Sequence, residues 1–295
     1  MIFLDYCKDV LPETLLDFVK ILPFLFLSYL LMELLEHKAS EKMILSVHRA
    51  GHFGPLLGGA LGILPQCGFA AASSGLYAAR VISLGTLLSI YLSTSDEMLP
   101  ILIASGASFP VIAKILAVKV VLGIALGFLV DFVLHLFHSE KAEGHEDCVA
   151  DFCKEHTCHC ERGILRSTLH HTLQISIFLL LTSLALNSLF FFIGEDAMRG
   201  LFTSLPVASN LLSALIGLIP NCASSVVITE LYLEGMLSAG AMFSGLLTGC
   251  GVGLLVLFRT RRDFKKNLAV LGLLYALGAI SGMLLDLLRI GAFLH

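Results

Sequence analysis

The stretch Gly62-Ile-Leu-Pro-Gln-Cys67 recurs 155 residues later in the chain as Gly217-Leu-Ile-Pro-Asn-Cys222. In both copies a proline, an amide and a cysteine interrupt an apolar run. Proline lacks a backbone N–H and clashes with the preceding helical turn, so each copy predicts a break in a helix. Matches at such uncommon residues indicate a duplicated chain rather than chance similarity between apolar segments.

The same shift of 155 residues aligns Gly123-x3-Gly127-x3-Asp131 with Gly278-x3-Gly282-x3-Asp286. Glycines spaced four apart allow two helices to approach closely, so we interpret both motifs as packing faces. Their aspartates are expected to be partners for neighbouring helix ends. The shift also aligns single residues: Tyr77 with Tyr232, Ser83 with Ser238, Gly85 with Gly240, and Ser89 with Ser244. The chain therefore divides into a first membrane repeat (residues 1–138), a linker (139–163) and a second membrane repeat (164–295).

The composition predicts an integral membrane protein. Of the 295 residues, 57% are hydrophobic and 14% are charged, and the mean hydropathy is +0.88. Soluble domains carry about 25% charged residues. A net charge of -4 and a pI near 6.2 give no reason to expect nucleic acid as a partner. The lipid bilayer is the expected partner, and association with further copies of the chain is left open.

Each repeat is expected to contain four apolar segments. They span residues 10–37, 51–79, 81–105 and 109–138 in the first repeat, and 164–193, 205–232, 236–258 and 266–293 in the second. Pro65 and Pro220 lie within the second segment of each repeat. Irregular backbone at membrane depth must face protein or a water-filled cavity. Each proline therefore predicts either a broken helix or a re-entrant pair of half-helices.

The distribution of Lys and Arg among the loops predicts that the two repeats have opposite orientations. The loop after the first segment is basic in the first repeat (residues 38–49), whereas the loop before the last segment is basic in the second (residues 259–266). By the positive-inside rule, this pattern places the linker in the cytoplasm and both termini outside. Opposite orientation needs an odd number of crossings per repeat, which three crossings with a re-entrant hairpin provide, as do five crossings. We therefore predict an all-α integral membrane fold of ten helices or half-helix equivalents, built as two inverted five-helix repeats.

Gln66, Cys67, Asn221 and Cys222 are the strongest candidates for a binding site. Equivalent breaks in inverted repeats meet near the membrane midplane. Their amide oxygens and thiolates would then converge on a cation, together with carbonyls freed by the prolines. In the competing interpretation each proline makes a kink and each cysteine is a small apolar filler. The repetition in both halves favours the binding site.

The cluster Ser93-Thr-Ser-Asp-Glu97 interrupts another apolar run. A carboxylate at membrane depth costs about 2.5–3.5 kcal/mol on insertion scales, so Asp96 and Glu97 are expected to mark an ion or proton path. The alternative is that they lie at the outer end of a short helix. Ser93 and Thr94 add candidate hydroxyl ligands. The aligned stretch of the second repeat lacks acids, which predicts a site whose charge comes from one repeat.

Further polar residues are candidates for gating, coupling or metal capture. Lys119 lies deep enough in its segment to be a counter-ion for the acids and to couple transport to protons, and Glu230 is a candidate gate. The linker residues that could capture metal are Cys148, Cys153, Cys158, Cys160, His156 and His159. Their spacing matches no standard zinc module, so a disordered acidic tether is the alternative.

The two Pro-x-Cys stretches and the Ser93–Glu97 cluster together resemble a bacterial family of ten-helix heavy-metal exporters. Its members are labelled manganese transporters or arsenic efflux proteins. The resemblance extends over nearly the whole chain apart from the linker. It implies ten membrane helices, an inner-membrane location and metal transport, and it leaves the substrate open.

The candidate ligands favour a divalent transition metal over other cargoes. Manganese prefers carboxylate and amide oxygens, whereas thiolates select softer ions such as zinc, cadmium or arsenite. The sequence contains no Walker motif, which favours a secondary transporter without a required cofactor. We expect an exporter of a divalent metal coupled to protons. The alternatives are an arsenite or organoarsenical permease, a channel, and an intramembrane enzyme that uses Asp96 and Glu97 as acid and base.

Overall fold

The computed structural model describes residues 51–63, 67–95, 98–137, 206–219, 223–261 and 263–289, with isolated helical positions between 22 and 30 and between 173 and 181. Within these ranges every regular element is helical. The two first segments of the repeats and the linker lie outside this part of the chain, apart from those isolated positions. The helices described fall within the predicted apolar segments to within two residues.

Within the described residues, each repeat (called a unit below) contributes five α-helices in the same order. In the first unit a 3-10 turn, Gly51–Phe53, precedes α1 (Gly54–Gly62), α2 (Cys67–Ala78), α3 (Leu84–Ser93), α4 (Met98–Ala104) and α5 (Phe109–Phe137). The second contains α6 (Pro206–Gly217), α7 (Ala223–Leu233), α8 (Ala239–Thr248), α9 (Val252–Thr260) and α10 (Phe264–Leu287). The shift of 155 residues superposes both ends of α3 on α8, so the duplication extends to the local structure.

The N-terminus of α3 and of α8 is capped in the same way. Ser83 Oγ accepts from the backbone N–H of Thr86 at 3.1 Å, and Ser238 Oγ accepts from that of Ala241 at 3.0 Å. These serines satisfy donors that the first turn of a helix leaves without an intrahelical partner. The cap therefore sets where each of these half-helices begins.

An aspartate from the last helix of each unit completes the cap. Asp131 accepts from the Ser83 hydroxyl at 2.6 Å and from the backbone N–H of residue 85 at 2.8 Å. Asp286 makes the equivalent bonds to Ser238 and to the N–H of Gly240, both at 2.8 Å. The prediction that these aspartates serve neighbouring helix ends is confirmed.

The glycine motifs bring the capped helix and the last helix into backbone contact. A Cβ added at Gly127 would lie 2.7 Å from the Gly85 carbonyl oxygen, and one at Gly123 would lie 3.0 Å from the Ser89 carbonyl oxygen. No side chain larger than hydrogen fits at such distances without a shift of backbone. The predicted packing role of these glycines is confirmed.

The helices α1 and α2 form a re-entrant pair. Near the start of α1, the Pro55 carbonyl accepts from Ser89 of α3 at 2.7 Å; near its end, a Cβ at Gly62 would lie 3.3 Å from Ser93 Cβ. α1 and α3 therefore run in the same direction from one end of the molecule, which we name face 1. Since only residues 79–83 separate α2 from α3, α2 must return to face 1. Of the two predicted alternatives, the structure therefore has the re-entrant pair.

The last helix of the first unit runs back along α3. Asp131, near the end of α5, contacts the start of α3, whereas a Cβ at Gly123 lies 3.2 Å from the backbone N of Ser93 at its end. The start of α5 therefore lies beyond α3, at the opposite end of the molecule, which we name face 2. α4 carries the chain from the end of α3 to that face.

By length and composition, four spans within the described ranges are apolar enough to cross a membrane: Leu84–Ala104, Phe109–Leu136, Ala239–Thr260 and Phe264–Leu287. The first and third each contain a break between two shorter helices. The chain is therefore a multi-pass membrane protein in which broken spans, the first of them preceded by the re-entrant pair α1–α2, alternate with continuous helices.

The glycine faces give a direct stability test. A Cβ added at Gly282 would meet the Ser244 hydroxyl and the Gly240 carbonyl, whereas one at Gly272 has no heavy atom within 4 Å. We expect Gly282→Ala to lower the free energy of unfolding by about 1–3 kcal/mol, because a backbone carbonyl cannot move aside without strain. Gly272→Ala is the matched control on the same helix and should not destabilise. Denaturation in detergent micelles measures both; equal stabilities would contradict the packing described.

Candidate functional site

The predicted ligands fall largely outside the described part of the chain. Cys67 begins α2, but its side chain is outside that part. Also outside are Gln66, Asp96, Glu97, Asn221, Cys222 and the linker residues Cys148, Cys153, His156, Cys158, His159 and Cys160. Among the described residues, no three His, Cys, Asp or Glu side chains are grouped to hold a metal. The described residues next to these ligands in sequence show which segments of the chain meet.

In the first unit the tip of the re-entrant pair adjoins the break between α3 and α4. Ser95, which directly precedes Asp96, is buried and donates its hydroxyl to the Ile63 carbonyl at 2.9 Å. Ile63 lies three residues before Gln66. The two segments that carry the predicted amide and acid ligands are thus anchored to each other at their described ends.

The second unit repeats this arrangement. A Cβ at Gly249, in the break between α8 and α9, would lie 3.2 Å from Ser225 Oγ, and Ser225 lies three residues after Cys222. The cysteine next in the chain, Cys250, is buried in this break and aligns with Ser95 of the first unit. Each unit therefore brings its re-entrant tip and its broken span together.

Ser93 and Thr94 donate their hydroxyl protons to carbonyls of their own helix. The acceptors are the Ser89 carbonyl at 2.7 Å for Ser93 and the Ile90 carbonyl at 2.7 Å for Thr94. Both side chains are buried. A hydroxyl oxygen keeps lone pairs when its proton is donated, so a role as ligands stays a prediction.

Lys119 joins the two units. Its side chain is only 1% exposed, and Nζ donates to the Thr94 carbonyl, at the end of α3, and to the Leu246 carbonyl in α8 at 3.0 Å. The chain leaves helical geometry at Thr94, whose ψ of 133° turns its backbone out of α3. An ammonium group deep in the protein therefore satisfies a carbonyl at the break of the first unit and a carbonyl of the second.

The cation at this position belongs to one unit only. The residue that aligns with Lys119 in the second unit is Leu274, which is fully buried. The sequence indicated Lys119 as a functional residue but gave no signal for its contact with Leu246. The proposed pairing of Lys119 with Asp96 or Glu97 stays a prediction because both acids are outside the described residues.

Glu230 lies in the last turn of α7. One of its carboxylate oxygens is shielded from solvent. The helix carries it well beyond Asn221 and Cys222 in sequence, toward the loop that precedes α8. This position is compatible with a gate near one end of the transport path, and the gating role stays a prediction.

A second contact between the units centres on Ser74, whose partners in the other unit the sequence did not indicate. Its hydroxyl lies 2.6 Å from the Tyr91 hydroxyl, 2.8 Å from the Gly253 carbonyl of α9 and 2.8 Å from the Ala70 carbonyl. A serine has one proton, so it donates to one carbonyl at a time while it accepts from Tyr91. Both side chains are fully buried.

The helices α2 and α9 lie side by side and run in the same direction. A Cβ at Gly253 would lie 3.3 Å from Ala70 Cβ, near the start of both helices. Toward their ends, the Arg261 guanidinium carbon lies 5.0 Å from the centre of the Tyr77 ring, a cation–π contact. We name this surface the α2–α9 seam and define it by residues 70–77 of α2, residues 253–260 of α9, Arg261 and Tyr91.

Comparison with known proteins supplies the family. A model of a family described as "Putative, 10TM heavy-metal exporter" matches residues 7–192. No curated protein and no solved structure matches the chain. The matched range contains residues 7–138 of the first unit, the linker and residues 164–192 of the second unit, so it ends earlier than the resemblance in sequence suggested. Because it spans more than half of the chain, the protein belongs to this family of 10TM heavy-metal exporters.

Proposed function

We propose that the protein is a secondary transporter that exports a divalent transition-metal ion, manganese or a similar metal, in exchange for protons. The observation that carries this proposal is the buried contact of Lys119 with carbonyls of both units, at the break that directly precedes Asp96 and Glu97. Broken helices that meet between two repeats are the common plan for substrate sites in secondary transporters. The family assignment gives independent support for a metal as the cargo.

We propose further that the two units have opposite orientations in the membrane. In the first unit α2 runs from the middle of the molecule to face 1. In the second unit α9 continues the span begun by α8 and leads away from the end at which α6 and α8 begin. Since α2 and α9 run in the same direction, the second unit would begin at face 2. This arrangement supports the predicted inverted repeats.

The directions of α2 and α9 also predict the membrane topology. Arg80, Arg259 and Arg261 lie at the ends of α2 and α9 and so at face 1. By the positive-inside rule, face 1 is the cytoplasmic side of a bacterial inner membrane. The first unit ends at that face with α5, which puts the linker in the cytoplasm. The last helix of the second unit then ends at face 2, which puts the C-terminus outside.

The ligand types favour a borderline metal. Asp96, Glu97, Gln66 and Asn221 would supply oxygens, whereas Cys67 and Cys222 would supply thiolates. Thiols and carboxylates release protons when they bind a metal, which gives a route for proton coupling. The metal is the cargo in this scheme, and no resident cofactor is proposed.

An arsenite permease is the second candidate function. The thiol of Cys250 is buried at the break of the second unit and would add a soft ligand if the predicted pair Cys67 and Cys222 converge there. Three thiolates around one ion would suit arsenite better than manganese. An intramembrane enzyme is a weaker alternative, because the family is one of exporters.

Flux measurements in proteoliposomes test the proposal. We expect uptake of manganese, zinc or cadmium into inside-acidic vesicles, and loss of that uptake when the pH gradient is collapsed. Asp96→Asn and Cys67→Ser should each lower transport at least about tenfold, because loss of even an indirect partner of a metal typically costs 10–100-fold in affinity. Ser73→Ala is the control, because the Ser73 hydroxyl donates to the Phe69 carbonyl of its own helix.

The outcomes separate the candidate functions. Metal flux that is unchanged in both Asp96→Asn and Cys67→Ser would contradict the proposed site. Arsenite flux that needs Cys67 and Cys222 but not Asp96 would establish the permease instead. Metal flux that follows its own gradient whatever the pH gradient would contradict proton coupling.

Lys119 provides a separate test of the central contact. Lys119→Met removes the donor to two buried carbonyls, each costing about 1–3 kcal/mol when left unsatisfied. We expect lower stability in detergent and at least about a tenfold loss of flux per folded molecule. Lys114→Met, five residues earlier on α5 and half-buried, is the matched control. If Lys119→Met transports as much metal per folded molecule as the unchanged protein, Lys119 stabilises the structure but is not needed for transport.

A further inference from the structure

We propose that the α2–α9 seam is the cytoplasmic gate in its closed state, and that side chains found only at this seam bias the resting protein toward closure on face 1. The inference rests on the proposed transport function. It assigns a gate, and a preferred state, to residues outside the predicted metal site.

The duplication gives the α2–α9 seam an equivalent on the other face. The shift of 155 residues converts α2 into α7 and α9 into α4. α2, the second helix of a re-entrant pair in the first unit, packs on α9, the second half of the broken span of the second unit. α7 and α4 make the corresponding contact with the units exchanged. If the units are inverted, one pair closes face 1 and the other closes face 2. Alternating access would exchange the tightness of the two seams.

The two seams are not equally closed. The α2–α9 pair packs over most of its length, whereas α7 and α4 contact each other less extensively. At the α2–α9 seam, Ser74 connects Gly253 with Tyr91, and Arg261 covers Tyr77. Over the residues that it describes, the structure is therefore packed more tightly at the α2–α9 seam, on face 1, than at the α7–α4 seam, on face 2.

The aligned residues of the α7–α4 seam cannot reproduce these contacts. Thr229, which aligns with Ser74, donates to the Ser225 carbonyl of its own helix at 2.7 Å. Leu246 replaces Tyr91 and has no hydroxyl to donate. Gly106 replaces Arg261 and has no side chain to cover the ring of Tyr232. The bias toward closure at face 1 therefore comes from side chains that differ between the two units, and it does not depend on a bound ion.

Paired cysteines at aligned positions test the gate. Ala70→Cys with Gly253→Cys places two sulfur-bearing Cβ atoms across the α2–α9 seam, where the distance of 3.3 Å is close to the 3.5–4.5 Å of disulfides. The matched pair across the other seam is Ser225→Cys with Met98→Cys. A protease site inserted in the linker makes the disulfide visible, because the two halves then stay joined on a non-reducing gel. Each single substitution controls for disulfides to Cys67 or Cys250.

The expected result is an asymmetry. Oxidation of resting protein, without any metal, should cross-link the first pair at least about ten times faster than the second. The cross-link should block flux, and a reductant should restore it. Equal cross-linking rates of the two pairs, or full flux in the cross-linked protein, would overturn the proposal. Since the cross-link is read without a cargo, it can succeed or fail independently of the proposed metal transport.

A second measurement covers the case in which a double variant does not fold. A single cysteine at position 70, in a background without native cysteines, is labelled with a membrane-impermeant maleimide from face 1. Ser74→Ala removes the central donor of the seam and should raise the labelling rate about tenfold. Ser73→Ala removes a hydroxyl that donates to the Phe69 carbonyl within α2 and should leave the labelling rate unchanged. No change with Ser74→Ala, or the same increase with Ser73→Ala, would contradict the gate.

Discussion

A backbone carbonyl that leaves a helix inside a bilayer needs a donor from the protein or from water, because lipid offers none. In the part of the chain that the structure describes, helices of each unit end at two interior places, beside the tip of the re-entrant pair and in the broken span. Buried polar side chains donate to three described carbonyls at or next to these places. Ser95 donates to Ile63, and Lys119 donates to Thr94 and Leu246. The breaks are therefore held against one another, and this requirement determines where polar ligands can be gathered at membrane depth.

The frame around the breaks is repeated because a small set of local interactions is repeated. A serine cap, an aspartate from the last helix and glycines at the contact fix the half-helix α3 against α5, and the same residue types fix α8 against α10. These interactions act at short range and depend on residue identity, so duplication of the sequence duplicates the geometry. The two units therefore differ at residues other than these serines, aspartates and glycines.

The sequence predicted the features that short-range interactions control. The prolines located the re-entrant tips, and the glycine and aspartate motifs located close helix contacts. The choice between a broken helix and a re-entrant pair could not be made from sequence, since it depends on α1 and α3 running in the same direction. The bridge from Lys119 to Leu246 and the group formed by Ser74, Tyr91 and Gly253 were missed for the same reason. Their partners come from different units, and no periodicity or motif reports such a contact. The predicted ligands Gln66, Asp96, Glu97, Asn221 and Cys222 lie outside the described residues, so their convergence stays a prediction.

The residues that differ between the units give the face-1-closed state and the face-1-open state different free energies. With identical seams the two states of an inverted repeat would have equal free energies, and each would be half populated. Tyr91 and Arg261 stabilise the α2–α9 seam, and their aligned residues Leu246 and Gly106 have no hydroxyl or guanidinium group with which to make the same contacts. A ligand shifts such an equilibrium only by its differential affinity for the two states. A cargo that binds at the breaks must therefore bind the face-1-open state more tightly if it is to offset the bias. Asymmetric charge at the site, with the acids and Lys119 in the first unit, is a way to supply that difference.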